Sequence, residues 1–227
     1  MSADDLPDWI RRAFSVPRLN PYLTESGQDP DEAVGLYWWN IEVSAAFYGP
    51  LHCLEVALRN ALHDQLCRRF GRSDWWASAS VPLTDHGIRL VTEATLKCRR
   101  RGLTPPTADD VVAELSFGFW VSLLSNHRGS SYDRLLWVPT LHLAFPHYSG
   151  RRAELHEAFE TMRLLRNRIM HYEPIHHRDL AADHRKLYLL LGRMDPTLAK
   201  EIRGLDRVET VLMRRVDLRS RIARPGF

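Results

Sequence analysis

"LHCLEVALRNALHDQLCRRF", residues 51–70, carries leucine at 51, 54, 58, 62 and 66. Steps of three and four put all five on one side of a 3.6-residue helix, so the stretch reads as an amphipathic helix with one buried stripe. Gly71 directly after Phe70 is the expected stop. Upstream, "DEAVGLYWWNIEVSAAFYG" (31–49) repeats the same spacing and opens on two acidic residues. Negative charge in a first turn complements the positive end of the helix dipole. Pro50 between the two stretches is expected to interrupt the helix.

The pattern continues outward. Thr84 is placed to cap a helix that runs to Arg99-Arg100-Arg101 and stops at Gly102. "TPPTADDVVAELSFGFWVSLL" (104–124) reads as an Asp-rich helix entry followed by an apolar helix. In it Phe117, Phe119 and Trp120 belong to the core, and Asp109 with Asp110 marks a helix start rather than a metal site. "RRAELHEAFETMRLLRNRIMHYE" (151–173) is a long helix that Pro174 ends, because the residue before proline avoids helical geometry. "LAADHRKLYLLLGRM" (180–194) and "LDRVETVLMRRVDLRSRI" (205–222) are further helices, with the helical text expected to last to about Arg221. No alternating strand pattern and no internal repeat appears. The expected class is all-α, with residues 1–30 an irregular arm holding one short helix and 31–227 a single all-α domain.

Composition narrows function less than it narrows fold. Net charge is +3, so the chain is not a polyelectrolyte binder by bulk charge. Its 28 arginines against 3 lysines are lopsided. Genome composition alone can produce such a bias, yet arginine's planar fork also suits phosphate. Three cysteines (Cys53, Cys67, Cys98) without a CxxC pair point to neither a disulfide framework nor a zinc site. Cys53 and Cys67 fall at apolar helical positions where a buried free thiol is expected. No apolar run approaches the roughly 20 residues of a membrane span, and "MSADDLPDWIRR" lacks the apolar segment of a secretory signal. A cytoplasmic location and no membrane partner are expected.

One stretch carries chemistry: "LLRNRIMHYEPIHH", residues 164–177. Arg166 precedes His171 by five positions, a spacing that recurs at Arg151 and His156 and is about as frequent as composition alone would produce. Context separates the two pairs. Asn167 follows Arg166 and stands four residues before His171, on the same helical face. Arg166 lies about 140° round the helix from His171, a gap that a long side chain can close. His171 is expected in the last helical turn, where the negative end of the dipole favours the imidazolium and raises its pKa. Arg163, Arg168, His176, His177 and Arg178 flank it with positive charge that would draw an anionic substrate. The plain alternative is a histidine that caps its own helix end. Arg59, in "LEVALRNALH" (54–63), repeats the Arg-Asn pair, with Glu55 as an i,i+4 partner; it reads mainly as an orienting or structural residue. Adjacent histidines at 176–177 with His171 are a weak metal signal.

Arg-Asn-x3-His late in an all-α chain resembles the ribonuclease motif of the HEPN superfamily. The wider text resembles its Abi-like branch, the abortive-infection proteins of AbiD/AbiF type. The stretches that carry the likeness are "LYWWNIEVSAAFYGPLHCLEVALRNAL" (36–62), "ELSFGFWVSLL" (114–124) and "LLRNRIMHYEPI" (164–175), in that order. The resemblance implies a HEPN-like helical bundle with additional helices. It implies a metal-independent endoribonuclease of phage-defence or toxin–antitoxin type, needing no cofactor. Its partners would be an RNA substrate, a second copy of the chain in a homodimer, and an antitoxin, protein or small RNA. Arg166, Asn167 and His171 would be catalytic, and Arg163, Arg168, Tyr172, His176, His177 and Arg59 would contact RNA. Cleavage by such a site leaves 2′,3′-cyclic phosphate and 5′-hydroxyl ends. The competing reading is a non-catalytic RNA-binding or protein-interaction module on the same scaffold. A helix-turn-helix DNA binder is disfavoured, since the basic residues are scattered and no short recognition unit with a glycine turn appears.

Overall fold

The computed structural model describes residues 6–81, 83–125, 131–219 and 226. Among these residues the chain is all-α, with no strand. Its α-helices are α1 (Asp8–Phe14), α2 (Val16–Glu25), α3 (Pro30–Phe70), α4 (Asp85–Arg100), α5 (Ala108–Glu114), α6 (Phe117–Ser122), α7 (Arg152–Met170), α8 (Leu180–Met194), α9 (Pro196–Leu205) and α10 (Val208–Arg219). The expected end of the last helix near Arg221 lies outside the described residues. No helix among those described is long and apolar enough to cross a membrane.

Local chemistry explains several helix boundaries. The Asp29 carboxylate accepts from the Asp31 and Glu32 amides (2.9 and 3.0 Å) and opens α3. Thr84 caps α4 by accepting from the Gly87 amide, as expected. Thr107 and Asp110 form a reciprocal capping box at α5. The long helices α3 and α4 hand over to Gly71 (φ 69°) and Gly102 (φ 90°), left-handed positions that glycine adopts without strain. Pro50 does not interrupt α3, contrary to expectation: the helix continues through it to Phe70. The missing amide costs one backbone bond. Against that loss stands an unbroken line of buried residues in α3, including Val43, Phe47, Leu51, Leu54 and Leu58.

The chain divides into two compact units. The first comprises Met1–Leu51, Leu165–Arg185 and Gly204–Phe227. The expected irregular arm is instead α1 and α2. Leu6, Ile10, Leu19, Tyr22 and Leu23 bury themselves with Ala33 and Tyr37 of α3 in one apolar cluster. Burial rescues this segment because its apolar residues, though few, meet a ready surface. Within the same unit the Trp39 indole donates to the Val211 carbonyl (2.9 Å), tying α3 to α10. His184 and Asp206, both buried, pair at 2.6 Å.

The second unit comprises His52–Leu164 and Lys186–Arg203. Leu54, Leu58, Leu62 and Leu66 are fully buried there, as the opening stripe requires. Trp75, Phe119 and Trp120 form an aromatic cluster, with Phe119 and Trp120 edge-to-face at 5.1 Å. Phe117, Phe119 and Trp120 are core, as expected, and Trp75 joins them. His63 accepts from the Trp75 indole (3.1 Å), and its other nitrogen lies 3.3 Å from the Cys67 thiol. Cys53 and Cys67 are half-buried rather than buried, and Cys98 is buried; all three are free. Burial pushes the Cys67 thiol pKa up, the opposite of what a nucleophilic cysteine needs.

Candidate functional site

Asn167, Arg166 and His171 lie at the C-terminal end of α7, in the first unit. The helix ends at Met170, four residues before Pro174, so proline is not its immediate terminator. Tyr172 is, with a left-handed φ of 57°. Its amide donates to the Ile169 carbonyl (3.0 Å) and the Glu173 amide to the Arg168 carbonyl (2.8 Å). That pair of bonds is the Schellman arrangement, with His171 as the cap residue and Tyr172 in the position usually taken by glycine. His171 therefore stands one residue past the expected last turn. It is solvent-exposed, and its amide still donates to the Asn167 carbonyl (2.9 Å). Asn167 and Arg166 are half-buried one turn back.

The segment after His171 is fixed by side chains from around it. Arg18 of α2 donates to the Tyr172 carbonyl. Arg168 donates twice to the Pro174 carbonyl (3.1 and 2.9 Å). Asn40 of α3 accepts from the Ile175 and His176 amides (2.8 and 3.1 Å), and Arg215 of α10 donates to the His176 carbonyl (2.7 Å). The carbonyls of Tyr172, Pro174 and His176 and the amides of Ile175 and His176 are thus all bonded, which fixes the path of the loop after His171.

The remaining residues expected at the site divide by environment. Tyr172 is 78% exposed. His177 is exposed; partial burial first, and then the Arg168 and Arg178 guanidiniums, hold its pKa below the ordinary histidine value. His176, expected on the RNA-facing surface, is buried instead. Its ring packs 4.8 Å from Tyr22, both ring nitrogens lack a hydrogen-bond partner among the described residues, and burial pushes its pKa down to about 4. A residue so enclosed does not touch an RNA strand. Arg168 is spent largely on its own turn, and Arg178 makes a two-bond pair with Asp183 (2.8 and 3.1 Å). The positive field expected around His171 is thus partly neutralised within the fold. Arg59 and Arg163 belong to the second unit. There Arg59 donates to Asn60 (3.2 Å), and Arg163 pairs with Glu160 (2.8 Å), whose carboxylate it holds below the usual range. Among the described residues no three His, Cys, Asp or Glu side chains converge to hold a metal ion, His171, His176 and His177 included.

No local pattern in the sequence points to Arg18, Asn40 or Arg215. Arg18 sits in the stretch whose sequence reads as an arm, and nothing in linear spacing joins 18 to 172. No family model matches the chain, and no curated protein or solved structure matches it.

Proposed function

We propose that the chain is a metal-independent endoribonuclease on a HEPN-like helical scaffold, acting as a homodimer in a phage-defence or toxin–antitoxin setting. The observation that carries this reading is the exposed His171 at the cap of α7, ahead of a loop that Arg18, Arg168, Asn40 and Arg215 hold, with Arg166 and Asn167 in the turn behind it. A histidine has the right acid–base range for RNA transesterification. In that reaction the 2′-hydroxyl loses its proton and its oxygen bonds to phosphorus. The bond to the 5′-oxygen breaks, and that oxygen gains a proton. The products are a 2′,3′-cyclic phosphate and a 5′-hydroxyl.

His171 serves as the base or the acid in this scheme. Arg166 stabilises the charge that gathers on the equatorial phosphorane oxygens, the contribution that is often largest. Asn167 shares a face with His171 and orients it or the phosphate. One histidine moves one proton at a time; two facing copies of the α7 end supply both, which is the physical reason for a dimer.

The test is incubation of purified protein with single-stranded RNA in EDTA, followed by end-group analysis. Cleavage with cyclic phosphate ends, lost in His171→Ala while the helical circular dichroism signal is kept, supports the reading. RNA left intact across several substrates removes it, and RNA retention without cleavage points to the binding module instead.

A further inference from the structure

The α7 end borders a cleft of about 910 Å³ inside the first unit, and the catalytic reading leaves that cleft without a role. Phe14, Tyr37, Ile41, Tyr48 and Ile169 are the large apolar residues of its wall, Arg18 is its cationic side chain, and the exposed Tyr172 lines it too. Its volume is that of an ordinary small-ligand pocket.

Two details say what it takes. Tyr172 occupies a left-handed position where glycine or asparagine would close the same turn at less cost, and its ring is 78% exposed. Neither the turn nor the core explains a tyrosine there. Strain kept at an exposed aromatic beside a reactive group points to a use for the ring. The second detail is Asn40. Its Oδ1 is fixed by the Ile175 and His176 amides, which settles the orientation of the amide group. Its Nδ2 has no hydrogen-bond partner among the described residues, and Asn40 lines the cleft. The wall thus offers aromatic faces and an amide donor whose acceptor is already spent. Unpaired RNA bases are held by such a combination, by stacking on aromatic rings and by hydrogen bonds at the base edge.

Resting on the ribonuclease reading, we infer that this cleft is the subsite for one unpaired base beside the phosphate at His171. Tyr172 is its stacking face. Asn40 is its donor, which selects a base with a keto oxygen, uracil or guanine, over adenine. Arg18 holds the Tyr172 carbonyl and so keeps the ring at the cleft.

The test is binding of short fluorescent single-stranded RNAs to the full chain by anisotropy, with a single abasic position scanned along the strand and with uridine and adenosine homopolymers compared. One abasic position should weaken binding about tenfold or more, and uridine should outbind adenosine by a similar factor. Tyr172→Ala, and Ala45→Trp, which fills the cleft from an exposed position on its wall, should each bind weakly and ignore the abasic position. A flat abasic scan, or both variants binding like wild type, overturns the subsite even where RNA is cut. Equal affinity for the two homopolymers overturns the role given to Asn40. A base-dependent scan in a protein that cuts no RNA upholds the subsite and removes the ribonuclease reading.

Discussion

The Arg18 guanidinium donates to the backbone carbonyl of Tyr172, so a residue of α2 holds the one at which the chain leaves α7 through a left-handed turn. The contact joins a segment that looked irregular in sequence to the segment that carries the chemistry. It also fixes a bulky side chain in a backbone region that L-residues avoid.

Replacing Tyr172 with glycine should therefore stabilise the fold. The left-handed penalty of a β-carbon is roughly 1–2 kcal/mol, and glycine's greater freedom in the unfolded chain returns part of it. A net gain of about 1 kcal/mol is expected, read as a rise of a few degrees in Tm. Tyr172→Phe keeps both the strain and the ring, and should match wild type in stability. A glycine variant less stable than wild type would show that the ring itself holds the turn.

Arg166→Lys keeps the positive charge and loses the planar fork. If the guanidinium spreads its hydrogen bonds over two phosphorane oxygens, lysine cannot replace it. The expected outcome is a fall in kcat of about a hundredfold or more with KM changed much less, measured on a defined RNA cleaved at one site. A fall in affinity alone, with kcat kept, would reassign Arg166 to ground-state phosphate binding.

Helix class, the leucine stripe of α3 and the caps at Thr84 and Thr107 were legible because each depends on residues within one or two turns. Pro50 was misread for a related reason. The local rule against proline is sound, but buried neighbours on both sides of it outweigh one lost backbone bond. Residues 6–23 were misread because their apolar residues are sparse, and only the partner surface of α3 reveals that they are core. The site was half legible. The Arg166–Asn167–His171 spacing is a one-helix pattern, whereas the loop that presents His171 depends on Arg18, Asn40 and Arg215, which lie far apart in sequence. Burial of His176 was invisible for the same reason, since its neighbour Tyr22 comes from α2.

Arg152 opens α7 and is buried in the second unit. Its guanidinium donates to the carbonyls of Leu124 (3.0 Å) and Ser125 and pairs with Asp133 (2.9 Å). Arg152→Met preserves the stem and leaves two carbonyls without their donor. The cost of unsatisfied buried groups is roughly 1–3 kcal/mol each, so a loss of about 3 kcal/mol is expected in urea denaturation. Because Asp133 is mostly exposed, Asp133→Asn should cost far less, under about 1 kcal/mol. Equal losses for the two variants would place the stabilisation in the ion pair rather than in the carbonyl contacts.

His176 makes the fold sensitive to acid. Its pKa falls to about 4 in the folded chain because burial disfavours the charged ring, with His177 next in effect. Unfolded, the same ring titrates near the ordinary histidine value. Between these two points the unfolded chain binds a proton that the folded chain refuses, so stability must fall as pH drops from about 6.5 to 4 and is untouched above that window. The loss is on the order of 3 kcal/mol when complete. Phenylalanine at 176 carries no proton, keeps the packing against Tyr22, and removes two ring nitrogens that lack hydrogen-bond partners among the described residues. The backbone bonds of residue 176 to Asn40 and Arg215 do not depend on its side chain. His176→Phe should therefore equal or exceed wild type at pH 7, and its advantage should widen toward pH 4.5. Denaturant midpoints at the two pH values measure this directly. Parallel pH dependence in the two proteins would assign the acid sensitivity to other groups.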